Sequence, residues 1–258
     1  MTELPAHVLI NREAWTKANA VYNDASAVKA WSESEITWGV WHTPESLVHV
    51  LPDLIGKDIV ELGCGTGYFG ARLKMAGAER VVGIDVTPAQ LDTARRLDAQ
   101  YSLGIEFIEA NAESVPLGDA QFDLAVSEYG ASIWCDPELW ISEAARLLRT
   151  DGELVFLRNS TISMLCLPDT GKVSQSLQRP QKGINRLEWT DDDPGVEFHL
   201  GLSDMLHVLQ RNGFQLVDLV EVFAPESAKD HERYDYVPSE WAKKWPSEEL
   251  WRLRKQGD

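Results

Sequence analysis

Residues 60–70 read Val-Glu-Leu-Gly-Cys-Gly-Thr-Gly-Tyr-Phe-Gly. Residues 58–62 are typical of a short buried strand, and a helix is expected to follow through Gly70 to about residue 76. The glycines between them stand at alternate positions: Gly63, Gly65 and Gly67. Because glycine has no Cβ, a ligand can lie directly against the backbone of such a loop. This stretch therefore predicts a ligand-binding turn of an α/β fold.

The alternation of strands and helices continues beyond this stretch. Further buried strands are predicted at residues 80–85, 105–108, 121–127 and 153–157. Thr87-Pro88 and Asp136-Pro137 are typical helix starts, because Thr and Asp cap helices and Pro suits the first turn. Strands that alternate with helices predict a parallel sheet covered on both faces. Its ligands are expected beyond the carboxyl ends of the strands.

The chain on either side of this core has a different pattern. Residues 1–50 predict N-terminal helices with a turn at Trp38-Gly39. The remaining expected elements are a hairpin of 186–189 with 196–199 around a polar loop at 190–195, a helix from residue 203, strands at 214–223 and 234–237, and a helical tail from residue 239. None of the ten tryptophans lies between residues 42 and 133, so the flanks are expected to do a different job from the middle.

Composition places the chain among globular proteins. It has 258 residues, 44% of them apolar and 25% charged, which excludes the disordered and fibrous classes. No stretch approaches the roughly 18 apolar residues of a membrane span, and residues 1–5 lack the features of a signal peptide. The net charge of −17 would repel a phosphate backbone. We therefore expect neither a nucleic-acid nor a membrane partner.

The three cysteines, Cys64, Cys135 and Cys166, match no zinc or Cys-x-x-Cys spacing, and the six histidines are scattered. Reduced cysteines, no metal site and a cytoplasmic location are the expectations that follow. The sequence carries no indication of the oligomeric state.

Two cofactor classes fit the glycine loop. Gly65-x-Gly67-x-x-Gly70 is the fingerprint of a dinucleotide site, and Asp85 lies 20 residues after Gly65, where an acidic residue would hold a ribose. Glycine spacing alone therefore leaves open a nicotinamide enzyme and an S-adenosylmethionine enzyme.

Other residues favour the second class. Glu61 stands two positions before the first glycine, where a carboxylate would repel a pyrophosphate but favour a ligand that carries an ammonium and a sulfonium. After the third strand, Asn111 and the Ala112 amide can hold the edge of an adenine. An S-adenosylmethionine enzyme is therefore the leading hypothesis, and an NAD(P)-dependent oxidoreductase is the alternative.

With these motifs, residues 57–158 resemble the class I S-adenosylmethionine-dependent methyltransferases, in the branch that includes quinone-biosynthesis and small-molecule enzymes. Residues 203–223 resemble them more loosely. The resemblance implies an α/β, Rossmann-like, doubly wound and mostly parallel seven-stranded sheet with one antiparallel strand. It also implies a single domain over 1–258, made of an N-terminal helical cap (1–50), a cofactor-binding core (57–158), an insert that covers the acceptor site (160–200), and a C-terminal part with a helix, strands and a Trp-rich tail (203–258).

The resemblance assigns residues to S-adenosyl-L-methionine. The loop residues that would hold its amino-acid part are Glu61, Gly63, Gly65 and Gly67. Asp85 would bind the ribose hydroxyls, and Asn111 with Ala112 the adenine. The family more often has Asp at the position of Asn111, but an amide oxygen also accepts a hydrogen bond from the adenine amino group. The other predicted cofactor contacts are Tyr22, Trp38, Cys64, Val86, Gln90, Glu113 and Ser127.

Residues beyond the later strands are candidates for the acceptor side. Glu128 and Tyr129 follow the fourth strand, Asn159 follows the fifth, and His199 ends the predicted hairpin. A base is needed only if the acceptor starts protonated, and we predict Glu128 and His199 for catalysis. The predicted function is methyl transfer to a small molecule, apolar or aromatic in view of the Trp-rich flanks. A non-catalytic module that binds the same cofactor is a further alternative.

Overall fold

The structure, a computed structural model, describes residues 4–190 and 194–257. Its strands are β1 (Thr37–Trp38), β2 (Thr43–Pro44), β3 (Asp58–Leu62), β4 (Arg80–Asp85), β5 (Glu106–Glu109), β6 (Phe122–Glu128), β7 (Leu148–Asn159), β8 (Arg186–Trp189), β9 (Gly195–Phe198), β10 (Phe214–Val222) and β11 (Glu248–Lys255). Most of the predicted strands of the core lie within one or two residues of these bounds. Strand β7 is the exception, because it already begins at Leu148.

The helices are α1 (Ala6–Ala18), α2 (Asp24–Trp31), α3 (Glu45–Val48), α4 (Tyr68–Met75), α5 (Pro88–Tyr101), α6 (Ala131–Trp134), α7 (Pro137–Leu147), α8 (Thr161–Cys166), α9 (Leu202–Arg211) and α10 (Ser239–Ala242). A π-helical turn, Asn19–Asn23, joins α1 to α2. The Asp136 carboxylate accepts a hydrogen bond from the Glu138 amide at 3.0 Å and so caps α7, as the sequence predicts. No helix in the described part of the chain is long and apolar enough to cross a membrane.

Seven strands form one sheet in the order β10-β11-β7-β6-β3-β4-β5. Strand β11 runs antiparallel to both of its neighbours, and the pairs from β7 to β5 are parallel. This arrangement confirms the predicted doubly wound α/β sheet with one antiparallel strand. Two small hairpins, β1 with β2 and β8 with β9, lie outside the sheet.

Apolar side chains cover both faces of the sheet. One cluster packs α7 and α9 on the sheet through Trp140 and Met205, and the other packs α2 and α4 through Trp31 and Phe69. Strands that are buried on both faces carry few polar side chains, which explains the near-continuous apolar runs of β3, β4 and β6.

The predicted strand at residues 234–237 and the predicted helical tail are both wrong. Residues 234–237 form turns, and the antiparallel strand is β11, preceded only by the short helix α10. Strand β11 is fixed by its partner β7: Trp251 stacks on Phe156 with ring centroids 5.8 Å apart. The predicted hairpin is confirmed as β8 and β9, but residues 191–193 of its polar loop lie outside the described residues.

The backbones that follow β3 and β6 are in direct contact at two glycines. Gly63 has a φ of +79°, and a Cβ on it would lie 2.6 Å from the Gly130 Cα. A Cβ on Gly130 would overlap the carbonyl oxygens of Leu62 and Gly63. Both positions therefore require glycine, because any side chain would separate the two strand ends.

We expect Gly63→Ala to destabilise the protein by more than the cost of its positive φ alone. Left-handed backbone costs an alanine about 1–2 kcal/mol, and the overlap with Gly130 adds an overpacking cost of about 1–3 kcal/mol. Gly56→Ala is the matched control, because Gly56 has a φ of +70° and nothing within 4 Å of its Cβ position. Urea unfolding of both variants separates the two costs, and equal losses would contradict a tight contact between Gly63 and Gly130.

Candidate functional site

The carboxyl ends of the parallel strands bring the predicted site residues to one edge of the sheet. Register pairs join Leu62 with Ile84, and Asp85 with Glu109, across β3, β4 and β5. Strand β6 ends at Glu128, beside Leu157 of β7. The loops that leave these strands therefore lie at one edge of the sheet, where open α/β sheets bind their ligands.

The glycine loop is held by backbone hydrogen bonds and by a buried carboxylate. The amides of Gly63 and Cys64 donate to the Ile84 carbonyl at 2.8 and 2.9 Å. Glu61 is 3% exposed and accepts a hydrogen bond from the Gly70 amide at 2.9 Å, in the first turn of α4. Burial raises the pKa of Glu61 well above its usual range, and the nearby negative charge of Glu128 adds to the effect.

A tryptophan of the N-terminal cap also holds this loop. The Trp31 indole nitrogen donates to the Thr66 carbonyl at 2.8 Å, and the ring is fully buried. The sequence analysis did not single out Trp31, although the tryptophans of this flank were expected to have a separate role.

Asp85 lies at the end of β4, against the glycine loop. Its carboxylate accepts hydrogen bonds from the Gly65 and Thr87 amides, both at 2.8 Å. Burial raises the pKa of Asp85, and these hydrogen bonds act in the opposite direction. A Cβ on Gly65 would lie 2.6 Å from the side-chain amide oxygen of Gln90. Asp85 and Gln90 thus face the loop from the next strand and helix, and Val86, between them in sequence, is half-buried. Their contact with the cofactor stays a prediction.

The predicted adenine side is closed by a network around Glu113. The Asn111 side chain donates to Glu113 at 3.1 Å and accepts from the Glu113 amide at 3.1 Å. Glu113 also lies 2.7 Å from the His7 Nε2 and accepts from the Asp136 amide at 2.8 Å. Ala112 is buried beside them. Helix α1 therefore packs against this end of the site through His7.

Three predicted cofactor residues have other roles in the structure. The Ser127 hydroxyl is fully buried, donates to the Leu62 carbonyl at 2.9 Å and accepts from the Ser132 amide at 3.1 Å. The Trp38 ring is fully buried beside Phe69, and its indole nitrogen donates to Glu45 at 2.6 Å. The Cys64 thiol is buried under Gly83. These side chains are packed inside the protein, and their contact with the cofactor stays a prediction.

Tyr22, another predicted cofactor contact, lies in the π-helical turn. It is half-buried, and the Arg233 guanidinium lies 4.7 Å from its ring centroid. The contact joins the N-terminal cap to the turns of residues 231–238. Contact between Tyr22 and the cofactor stays a prediction.

On the acceptor side, Glu128 is bound by the turn between β1 and β2. It accepts a hydrogen bond from the Gly39 amide at 3.0 Å and another from the Tyr68 hydroxyl at 2.6 Å. Burial raises the pKa of the Glu128 carboxyl, while both hydrogen bonds lower it. Glu128 therefore lies between the glycine-loop helix α4 and the N-terminal cap, and its position near the reacting groups stays a prediction.

A second carboxylate, Glu248, lies beside Glu128 and was missed by the sequence analysis. Glu248 is 1% exposed and accepts hydrogen bonds through Oε1 from the Val40 amide at 2.8 Å and from the Tyr129 hydroxyl. Its Oε2 atom is buried and has no hydrogen-bond partner among the described residues. Burial raises the pKa of Glu248 to about 7, and the negative charge of Glu128 contributes.

His199 follows β9 and is held by the same hairpin. Its Nε2 lies 2.7 Å from a Glu197 carboxylate oxygen, and its Nδ1 is buried without a partner in the described part of the chain. Asn159 donates to the Tyr236 hydroxyl at 2.9 Å, and burial, with the charge of Glu197 second, raises the pKa of Tyr236. His199 thus contacts Glu197, whose charge acts on Tyr236, and Tyr236 lines the same cleft as Glu248. The catalytic role of His199 stays a prediction.

The chemistry of the site suits a cationic ligand. Burial raises the pKa of four carboxyl groups at this edge: Glu61, Asp85, Glu128 and Glu248. A positive charge among them would stabilise their ionised forms and would itself be stabilised. Gly63 and Gly65 leave half-exposed backbone at the same place, so a ligand can approach closely. The residues present therefore fit a ligand with an ammonium and a sulfonium.

Comparisons with known proteins agree with this geometry. The sequence profile of a family described as "Methyltransferase domain" matches residues 60–156, from β3 into β7. The malonyl-[acyl-carrier protein] O-methyltransferase of Hahella chejuensis is 34% identical over 112 residues, which are 43% of this chain and 39% of that protein. The demethylmenaquinone methyltransferase of Thermus thermophilus is 38% identical over 103 residues, which are 39% of this chain and 46% of that protein. The matches thus span less than half the length of either relative.

A solved structure extends the similarity to most of the fold. An S-adenosylmethionine-dependent methyltransferase from Mesorhizobium loti superposes with a TM-score of 0.64 at 25% identity, and the match covers 81% of this chain and 96% of that one. The profile match contains the glycine loop, Asp85 and Glu128, whereas Glu248 and the turn at Gly39 lie outside it.

We expect Glu248→Gln to remove a pH dependence of stability. The folded pKa of Glu248, about 7, lies above the ordinary glutamate value of about 4.3. Wild type therefore takes up a proton on folding, and its free energy of unfolding falls by about 1.4 kcal/mol per pH unit from this group as the pH rises from about 4.5 to about 7. The variant lacks this slope, and its amide oxygen still accepts from Val40 and Tyr129.

Urea unfolding of wild type and variant between about pH 5 and about pH 8 measures the difference in slope. Glu221→Gln, an exposed glutamate on the neighbouring strand β10, is the matched control and should follow wild type. Parallel curves for Glu248→Gln and wild type would contradict the raised pKa of Glu248.

Proposed function

We propose, on the premise that the chain carries a class I S-adenosylmethionine-dependent methyltransferase domain, that it transfers a methyl group to a small-molecule acceptor. The observation that carries the proposal is the half-exposed glycine loop between the carboxylates of Glu61 and Asp85. The names of the two relatives, a malonyl-[acyl-carrier protein] O-methyltransferase and a demethylmenaquinone methyltransferase, support methyl transfer to a malonyl thioester or a quinone-type molecule as the class of reaction.

Different residues around the loop would bind different parts of the cofactor. S-adenosylmethionine, when bound, supplies an electrophilic methyl group on a positively charged sulfur. Gly63 and Gly65 would receive its amino-acid part, with Glu61 as a buried countercharge beneath them. Asp85 would exchange its hydrogen bonds to the Gly65 and Thr87 amides for the ribose hydroxyls.

The protein also aligns the acceptor and excludes water. Glu128 and Glu248 are both held from the same turn, through the amides of Gly39 and Val40, so the acceptor side of the site is fixed by the N-terminal cap. Displacement at a sulfonium depends chiefly on such alignment. Trp41, Tyr129 and Tyr236 provide aromatic surface beside Glu248, and we propose an apolar or aromatic acceptor on that basis.

Isothermal titration calorimetry tests the cofactor assignment. We expect binding of S-adenosylmethionine and S-adenosylhomocysteine and no comparable binding of NAD or NADP, because the Glu61 carboxylate would repel a pyrophosphate. Tight dinucleotide binding alone would overturn the proposal. Incubation with metabolite extracts, followed by mass spectrometry for a cofactor-dependent gain of one methyl group, then identifies the acceptor.

Asp85→Asn should weaken binding of S-adenosylhomocysteine by at least about tenfold, because hydrogen bonds to a charged group contribute about 1.5–3 kcal/mol each. Asp123→Asn is the matched control. Asp123 also accepts from a backbone amide, that of Asp58 at 2.9 Å, but it lies at the opposite end of β6. Equal affinities for Asp85→Asn and wild type would place the ribose elsewhere, and thermal unfolding reports separately on any loss of stability.

We expect Glu128→Gln and His199→Ala to lower turnover more than cofactor affinity. A general base contributes about 10²–10⁴-fold, so the residue that acts as base should show a loss of that order. His207→Ala, an exposed histidine on α9, is the control for the second variant. Wild-type turnover of the identified acceptor by both variants would exclude both residues as the base.

A further inference from the structure

We propose that Glu248 is a catalytic residue that binds the hydroxyl group of an aromatic acceptor through its free Oε2 atom and takes the proton of that hydroxyl. The acceptor would lie in a cleft formed by Trp41, Tyr129, Asn159 and Tyr236. This inference rests on the proposed methyl transfer, and it adds a residue and a substrate class to it.

The unpartnered Oε2 atom is the central observation. The Glu248 side chain is 1% exposed, and Val40 and Tyr129 both donate to its Oε1 atom, which leaves Oε2 buried with no partner in the described residues. A buried carboxylate oxygen without a hydrogen bond is costly, so a site that retains one is suited to a ligand that donates to it. A hydroxyl group has the donor that this atom lacks.

Aromatic side chains surround the carboxylate. The cleft beside Glu248 is lined by Trp41, Tyr129, Tyr234 and Tyr236, together with Asn159. Its volume is about 10 Å³, which is room for about one water molecule. An acceptor therefore enters by displacing the turns of residues 231–238, and its ring replaces contacts that the tyrosines now make. Aromatic walls with a single carboxylate favour a ring that carries a hydroxyl group.

Glu248 is also held by the same turn as Glu128. The turn between β1 and β2 binds both carboxylates, Glu128 through the Gly39 amide and Glu248 through the Val40 amide. Burial raises the pKa of both Glu61 and Glu248, and the negative charge of Glu128 adds to the shift of each. Glu61 and Glu128 both accept hydrogen bonds from α4, and Glu248 shares the turn between β1 and β2 with Glu128. The proposed acceptor cleft would therefore lie next to the proposed amino-acid end of the cofactor site.

The proton and the electron pairs balance in one displacement. Glu248, as the carboxylate, takes the proton of the acceptor's O–H bond on Oε2. The electron pair of that oxygen forms the new bond to the methyl carbon, and the pair of the broken carbon–sulfur bond stays on sulfur. The neutral Glu248 carboxyl then releases its proton to solvent. The titratable groups that face it from the described residues around the cleft are Glu128, Tyr129, Tyr234 and Tyr236.

Binding of phenol and anisole tests the contact without turnover. Anisole has the same ring as phenol but lacks the hydroxyl proton. We expect wild type loaded with S-adenosylhomocysteine to bind phenol about tenfold to a hundredfold more tightly than anisole, measured by NMR titration. Glu248→Gln should lose most of this preference, whereas Glu221→Gln should keep it. Equal preference in Glu248→Gln and wild type would overturn the contact.

Turnover tests the proton transfer. With a phenolic acceptor, wild-type kcat/KM should fall below an apparent pKa near 7, and Glu248→Gln should lose about 10²–10⁴-fold in kcat together with this acidic limb. Tyr129→Phe removes a donor to the ionised carboxylate and should move the limb to higher pH. If Glu248→Gln keeps the wild-type kcat, or keeps the acidic limb of the kcat/KM profile, Glu248 is not the base.

The outcomes separate this inference from the proposed function. A wild-type protein that binds neither S-adenosylmethionine nor S-adenosylhomocysteine overturns both. A wild-type protein that binds the cofactor and methylates acceptors without a hydroxyl, but no phenolic one, overturns only the role of Glu248. A Glu248→Gln variant that binds S-adenosylhomocysteine like wild type but loses turnover supports the inference.

Discussion

The contact between the Gly63 and Gly130 backbones is the constraint on which the site depends. It brings the ends of β3 and β6 so close that neither position has room for a Cβ. The chain after β6 must turn sharply there, and Tyr129 adopts a φ of 53°, in the left-handed region that is uncommon for residues with a side chain. This turn leaves Glu128 beside α4 and brings the Tyr129 hydroxyl to Glu248. One close approach of two backbones thus sets the positions of both acceptor-side carboxylates.

Buried negative charge is the second determinant of the site. Four carboxyl groups at one sheet edge are costly when ionised, and the protein offsets part of that cost with backbone donors: Gly70 to Glu61, Gly65 and Thr87 to Asp85, Gly39 to Glu128 and Val40 to Glu248. These donors fix the carboxylates in place but leave their pKa values raised. A ligand with a positive charge would offset the remaining cost of burying these carboxylates in their ionised form.

The sequence predicts the core and the glycine loop well because both depend on local signals. Apolar runs, glycines at alternate positions and helix caps report on neighbours a few residues away, and the structure has β3, β4, α5 and α7 close to where these signals predict them. Strand β11 escapes prediction for the opposite reason. Its start, Ser247-Glu248-Glu249, has the residues of a capped helix start, and its pairing with β7 across about 90 residues of chain decides its conformation. The missed residue Glu248 stands at that start, and no residue near it in sequence marks it as special.

Of the two carboxylates on the proposed acceptor side, one lies inside the part of the chain that matches the methyltransferase profile and the other lies outside it. Glu128 lies within residues 60–156, which match a widespread domain, whereas Glu248 and the donors from Gly39 and Val40 lie outside it. Substitutions in the two outer segments can therefore reshape the acceptor cleft while the cofactor-holding loops keep their geometry. Residues that lie before and after the matched domain thus hold one of these carboxylates and donate to both, so a change of sequence there alters this cleft without altering the glycine loop itself.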